Sequence, residues 1–327
     1  RQLEMTSCYL DFGQLGQDRV SALAGVTVPT LMVISPRPFG QVLTDAVNSL
    51  GRIWRTVLVP GLAASIPVSI ATALVFRVSG GAEFLDVLLN NPERLLTLDD
   101  QVLLEIAGSF YLALAITSVL QFIAGVFVAL ASHRAVAADL GGASLSGGDV
   151  SRFALSRYGV GLGAALLVAV AVVVLITLGA VVWLMPAATV GTPNLTSQFV
   201  ALILLIALLG PGVWLAVSAS MTTSAVAIEN TGLLNSIRRS MRLVRGRWLP
   251  TAGYLLLVGL LGGIAIQLIQ LIAVPLASDG GGGTFAIAAG LGALTQGLLV
   301  AAIAVMYTHW YIDLRARTEV LATSDLG

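Results

Sequence analysis

Hydrophobic positions along this chain come in six long blocks, with no regular alternation. Apolar stretches near 56–77, 103–131, 159–185, 199–227, 250–276 and 285–311 are each long enough to cross a membrane, since a hydrocarbon core of about 30 Å takes roughly 20 helical residues. None shows the period-two pattern of a barrel strand. In lipid a backbone must satisfy its own hydrogen bonds, so runs of this length predict helices. The pattern predicts an all-α integral membrane protein, a bundle of about six transmembrane helices.

A second periodicity appears just before the odd-numbered spans. Leu43, Ala46, Val47, Leu50, Ile53 and Trp54 recur at helical spacing, with Asp45, Asn48, Ser49, Arg52 and Arg55 on another face. Leu234, Ile237, Met241, Val244 and Trp248 form a similar stripe, with Arg238, Arg242 and Arg245 beside it. A shorter version, Val150, Phe153, Ala154 and Tyr158 with Arg152 and Arg157, leads into the third span. Such segments predict three interfacial amphipathic helices, apolar faces at the acyl boundary and arginines at the headgroups. Gly40, Trp54 and Pro60 in the first unit parallel Gly232, Trp248 and Pro250 in the third. Two readings fit: a threefold internal repeat of one amphipathic helix plus two spans, or three independent occurrences of a common device.

Charge adds an orientation. All 17 basic residues are Arg, and with the Ala, Val, Leu and Gly richness this suggests a high-GC bacterial genome. Thirteen lie in alternate connections: Arg37, Arg52, Arg55, Arg134, Arg152, Arg157, Arg238, Arg239, Arg242, Arg245, Arg247, Arg315 and Arg317. The opposite connections hold Arg77 and Arg94 among several carboxylates. The positive-inside rule puts the basic side, both termini and the three amphipathic helices in the cytoplasm of a bacterial plasma membrane. Residues 1–35 read as an extension or tail that is non-native or loosely ordered, 36–317 as the six-span domain and 318–327 as a short cytoplasmic tail.

Two segments carry a resemblance. One is Ser35-Pro36-Arg37-Pro38-Phe39-Gly40-Gln41-Val42-Leu43-Thr44-Asp45-Ala46. The other runs from Ala227-Ile228-Glu229-Asn230 to Arg239-Ser240-Met241-Arg242-Leu243-Val244-Arg245-Gly246-Arg247-Trp248. Together they resemble the membrane domain of some glycerophosphoryl diester phosphodiesterases and the stand-alone bacterial proteins built from it, over nearly all of Pro36 to Arg317. In that family hydrolysis belongs to a separate soluble barrel, which nothing in this sequence matches. The resemblance therefore implies a fold and no activity.

Candidate chemistry is sparse. Cys8 is the single cysteine, and His133 and His309 are the only histidines. His133 reads as part of a loop beyond the second span. His309, with Tyr307, Trp310 and Tyr311, reads as an aromatic anchor at the interface. No nucleophile–base pair, metal-ligand set or cofactor motif can be assembled, so no enzyme, metal, cofactor or nucleic-acid partner is expected. Gln121, Gln267, Gln270 and Gln296 fall within predicted spans, where helix–helix hydrogen bonds or a polar path are the alternatives. Gly210-Pro211-Gly212 predicts a kink or hinge in the fourth span. Gly159 with Gly163 and Gly259 with Gly263 have the spacing of close helix contacts. Glu229 is expected to pair with Arg238 or Arg239, and Asn230 or Thr231 to cap the next helix. Arg238, Arg239, Arg242, Arg245, Arg247 and Trp248, joined by Arg52 and Arg55, form the candidate contact for anionic headgroups. The expected function is a non-catalytic membrane scaffold or accessory protein engaging anionic lipid, another membrane protein or both. The alternative is a small transporter or lipid-handling permease.

Overall fold

A computed structural model describes residues 33–79, 93–94, 97–189, 195–278 and 282–322. The chain divides into two compact units, Arg1–Met32 and Val33–Gly327; the first lies outside the described residues. In chain order the second unit holds β1 (Val33–Ile34), α1 (Phe39–Ser79), α2 (Asp100–Leu140), α3 (Gly147–Thr189), α4 (Leu195–Ala219), α5 (Thr222–Glu229), α6 (Leu233–Val244), α7 (Trp248–Ser278), α8 (Gly282–Thr318) and β2 (Leu321–Ala322). Six of the helices contain stretches long and apolar enough to cross a membrane. The protein is a multi-pass, all-α membrane bundle.

Of the three amphipathic segments, one alone is a separate helix. The first is the opening half of α1, a single helix of 41 residues. The second is the start of α3. Nothing between Arg55 and Thr56, or between Tyr158 and Val160, interrupts the helix, so amphipathic segment and span fuse. Between α6 and α7, by contrast, Gly246 takes φ 85°, a left-handed conformation that suits glycine, and the chain turns before Trp248. The same half of α1 also packs on the bundle. Val42, Ala46, Ser49, Ile53 and Val57 face inward, while Val47 and Trp54 are exposed.

At about 1.5 Å per residue, α1 and α2 run roughly 60 Å, twice the thickness of a hydrocarbon core. Their two halves differ in kind. Towards the arginine-rich end, Val126 to Ala138 of α2 and Ala301 to Leu314 of α8 pack with α1, α5 and α6 into a buried core. Towards the other end Ile66, Ile70 and Leu74 of α1 and Leu104, Leu112 and Ile116 of α2 are exposed apolar residues, the surface that lipid covers. Backbones approach closely where α1 meets α8. A Cβ on Gly297 would lie 2.9 Å from the Gly61 carbonyl oxygen and from Ser65 Oγ, so absent side chains set the helix spacing there.

Local capping explains the turns. Between α2 and α3, Ser146 and Asp149 form a reciprocal capping box: Ser146 N donates to Asp149 Oδ2 and Asp149 N to Ser146 Oγ, both at 3.2 Å. Asn230, φ 56°, closes the C-terminus of α5 in the left-handed region and does not cap α6, whose N-cap is Gly232. Beyond α8, Leu321 and Ala322 pair antiparallel with Ile34 and Val33. Arg37 N donates to Asp313 Oδ1 at 2.8 Å, and Arg317 donates to the Arg37 carbonyl.

Candidate functional site

The α4–α6 corner is built around a break in a helix. α4 continues through Gly210-Pro211-Gly212 as one helix and stops at Ala219, eight residues beyond Pro211. Gly212 instead packs against α3, its Cβ position 3.4 Å from Leu175. At the true break, Ser220 Oγ donates to the Val217 carbonyl and Thr222 Oγ1 to the Ala219 carbonyl, side-chain bonds that compete with the helix ladder. Ser240 of α6 completes the repair. Its hydroxyl donates to the Ser218 carbonyl at 2.8 Å and accepts from Met221 N at 3.1 Å, satisfying two backbone groups that the interruption leaves open.

Beside this corner Glu229 collects donors from three directions. Arg239 Nε reaches its carboxylate at 2.8 and 2.9 Å, Arg315 Nε at 3.1 Å, and the Tyr311 hydroxyl donates to Oε1. Glu319 joins both arginines. Burial works against the charge on Arg239, but hydrogen bonds to Glu319 and Glu229 outweigh it and hold its pKa above the ordinary value. The same bond from Arg239 holds the Glu319 carboxyl below its ordinary value. Of the two partners expected for Glu229, Arg239 is the one used. It is consequently turned inward, 13% exposed at the side chain, and is not available to a headgroup as its place in the basic segment suggested.

The other arginines divide into spent and free. Arg52 binds Asp139 at 2.7 Å, with Ser49 Oγ also donating to that carboxylate. Arg55 lies 5.2 Å over the Trp54 ring and Arg134 5.3 Å over Phe153. Arg238, Arg242, Arg245 and Arg247 are exposed and, among the described residues, have no ion pair. Trp248, half-buried beside them, donates from Nε1 to the Trp214 carbonyl at 3.3 Å.

Both histidines are internal, contrary to the loop and interface positions read from sequence. His133 is 1% exposed inside α2. Its ring meets Thr308 Oγ1 at 2.7 Å and Thr223 Oγ1 at 3.1 Å, tying α2 to α8 and α5. Ser224 Oγ lies 3.4 Å away. His309 is 4% exposed, and among the described residues its Nε2 has no hydrogen-bond partner, nor do Ser132 Oγ and Arg315 Nη1. The signal for His133 was present in Ala135, Ala137 and Ala138, strong helix formers that carry α2 past the end of the apolar run.

Two of the span glutamines meet: Gln296 Nε2 approaches Gln121 Oε1 at 3.5 Å, joining α8 to α2 on the exposed side. Gln267 stands about 28 Å along α7 from Trp248, within the apolar stretch Trp248–Ile269, and is exposed. Gln270 follows on the same helix, and its side chain lies outside the described ones. Of the glycine pairs expected in close contacts, Gly163 packs towards Leu233, whereas a Cβ at Gly159, Gly259 or Gly263 would meet nothing within 4 Å.

A bundle with an arginine corner, buried polar bridges at one end and a lipid-facing surface at the other defines a class of helical membrane protein. The chain belongs to the family described as Domain of unknown function (DUF7847), whose model matches residues 39–314. No curated protein and no solved structure matches it.

Proposed function

We propose that this protein is a non-catalytic membrane scaffold or accessory protein whose arginine-rich end faces the cytoplasm of a bacterial plasma membrane and engages anionic headgroups, a partner membrane protein or both. The division among the arginines carries this reading. The fold spends Arg37, Arg239, Arg315 and Arg317 on internal carboxylates and leaves Arg238, Arg242, Arg245 and Arg247 outward at one corner. Each basic residue near an anionic surface contributes about 1 kcal/mol. Kinship with the phosphodiesterase membrane domain is part of the same proposal, supported by the basic segment that ends at Trp248.

The test is the variant Arg238→Gln/Arg242→Gln/Arg245→Gln. Ten of the thirteen arginines on the basic side remain, enough to hold topology. Lipid co-purifying with the full chain is expected to shift away from phosphatidylglycerol and cardiolipin. An unchanged lipid profile would leave the corner as a topology signal alone.

A further inference from the structure

The two faces of α7 differ. Thr251, Tyr254 and Val258 are buried in the bundle, and a Cβ on Gly262 would meet Ile303 and Leu299 of α8. The face turned away carries a groove of about 420 Å³ lined by Gly259, Leu260, Gly263, Ile264, Gln267 and Leu268. All six belong to α7, as three neighbouring pairs spaced four residues apart. A Cβ on Gly259 or Gly263 would meet nothing, so the missing side chains leave the groove. Leu260, Ile264 and Leu268, 49% to 59% exposed, stand beside it as a parallel ridge.

Gln267 is the polar member of this lining. It is exposed, and among the described residues no hydrogen bond reaches its amide. Gly263 is the midpoint of the apolar block 250–276, and Gln267 follows it by about 6 Å along the helix. That keeps it inside a hydrocarbon core about 30 Å thick. An amide facing hydrocarbon has no water to bond, and leaving it unpaired is costly.

We propose that this face of α7 docks against the same face of a second copy of this chain. The proposal is independent of what the arginine corner binds. A ridge beside a groove on one surface is self-complementary: the Leu260, Ile264 and Leu268 ridge of each copy enters the groove of the other, as a two-fold contact requires. Between helices in lipid, close packing over small residues supplies the attraction. The Gln267 amide carries both donors and an acceptor, so two copies facing across the axis satisfy each other. A lipid chain in the groove fills the space and leaves that amide unpaired. An unlike helix would need its own matching ridge and polar group, which a second copy has by construction. Repulsion between the arginine corners does not prevent the contact. Glycine-mediated right-handed crossings run near −40°, so two helices crossing at Gly259 part by roughly 11 Å at Trp248. Added to the spacing at the crossing itself, this exceeds the screening length of about 8–10 Å.

The experiment uses the full chain. In native membranes, Cys8→Ser/Leu260→Cys treated with a short membrane-permeant thiol cross-linker is expected to give a two-chain product. Cys8→Ser/Ile70→Cys, at a comparably exposed position of α1, is expected to give none. In mild detergent, native mass spectrometry of the unaltered protein is expected to read a two-chain mass. Gly263→Leu fills the groove and Gln267→Leu removes the amide, and each is expected to lose that mass. Both positions are exposed and leucine is a good helix former, so the thermal midpoint should hold. Linking at Ile70 as readily as at Leu260 would reduce the product to random collision and overturns the proposal. A two-chain mass that survives either leucine substitution also overturns it. So does a one-chain mass at every concentration with no product at Leu260, and phospholipid retained on that single chain would then assign the groove to lipid.

Discussion

Ser240 does at residue scale what a continuous helix would otherwise do for itself. It is fully buried, and its hydroxyl serves the Ser218 carbonyl and the Met221 N–H in one position. Ser240→Ala keeps the shape and leaves both groups unsatisfied in a closed interior. A loss of about 1–3 kcal/mol is expected, read as a lowered midpoint of thermal or denaturant unfolding in detergent. Asn235→Ala, at an exposed position of the same helix, serves as the control and should leave the midpoint nearly unmoved. A Ser240→Ala midpoint equal to that of the unaltered protein would mean that the bridge contributes nothing. Such a role was not legible in the sequence, where Ser240 is one polar residue in a basic helix. Arg238 and Arg239 pose the same difficulty. They are adjacent and chemically identical, and the rotation of about 100° between successive helical residues sends one to solvent and the other to Glu229.

Among the elements, the long helices were legible as spans because composition alone forces them, and their fusion with the amphipathic segments was not. A change from one-sided to all-round hydrophobicity marks where a helix enters lipid, and carries no instruction to break the backbone. A break needs a residue such as Gly246, or competing hydroxyls such as Ser220 and Thr222. The contact between α1 and α8 was equally hidden, since Gly61 and Gly297 become a pair only after folding, whereas the visible glycine pair in α7 faces open space. Gly297→Val places branched carbon against the Gly61 carbonyl, which cannot move without displacing α1. The expected cost is about 1–3 kcal/mol, measured by unfolding in mixed detergent. Gly253→Val, at a position where an added Cβ meets nothing, should cost much less. Equal costs for the two would show that spacing between α1 and α8 is not set there.

For the whole molecule, the hydrogen bonds at the basic end place the N-terminus of α1, the C-terminus of α2 and the C-terminus of α8 together: Ser49 to Asp139, His133 to Thr308, Arg37 to Asp313. This arrangement ties the membrane orientation of every arginine cluster to any one of them. With Cys8 replaced, cysteines introduced at the exposed positions Ser144 and Asn235 should resist an impermeant thiol reagent in intact cells, and one at the exposed Thr97 should react. Reaction at Asn235 from outside would invert the proposed orientation and move the lipid corner to the other leaflet.

The pairing of α1 with α8 also sets a timetable. The bond between Arg37 and Asp313 joins residues 276 positions apart, and the most extensive packing surface of α1 is on the last helix of the bundle. At roughly 5–20 residues per second, the ribosome needs on the order of 15–55 seconds after α1 emerges to deliver that partner. Throughout this interval Ser65 and the Gly61 backbone have no α8 to close over them. Synthesis of this protein therefore includes an obligatory wait, during which its first helix depends on the insertion machinery or on transient neighbours for cover.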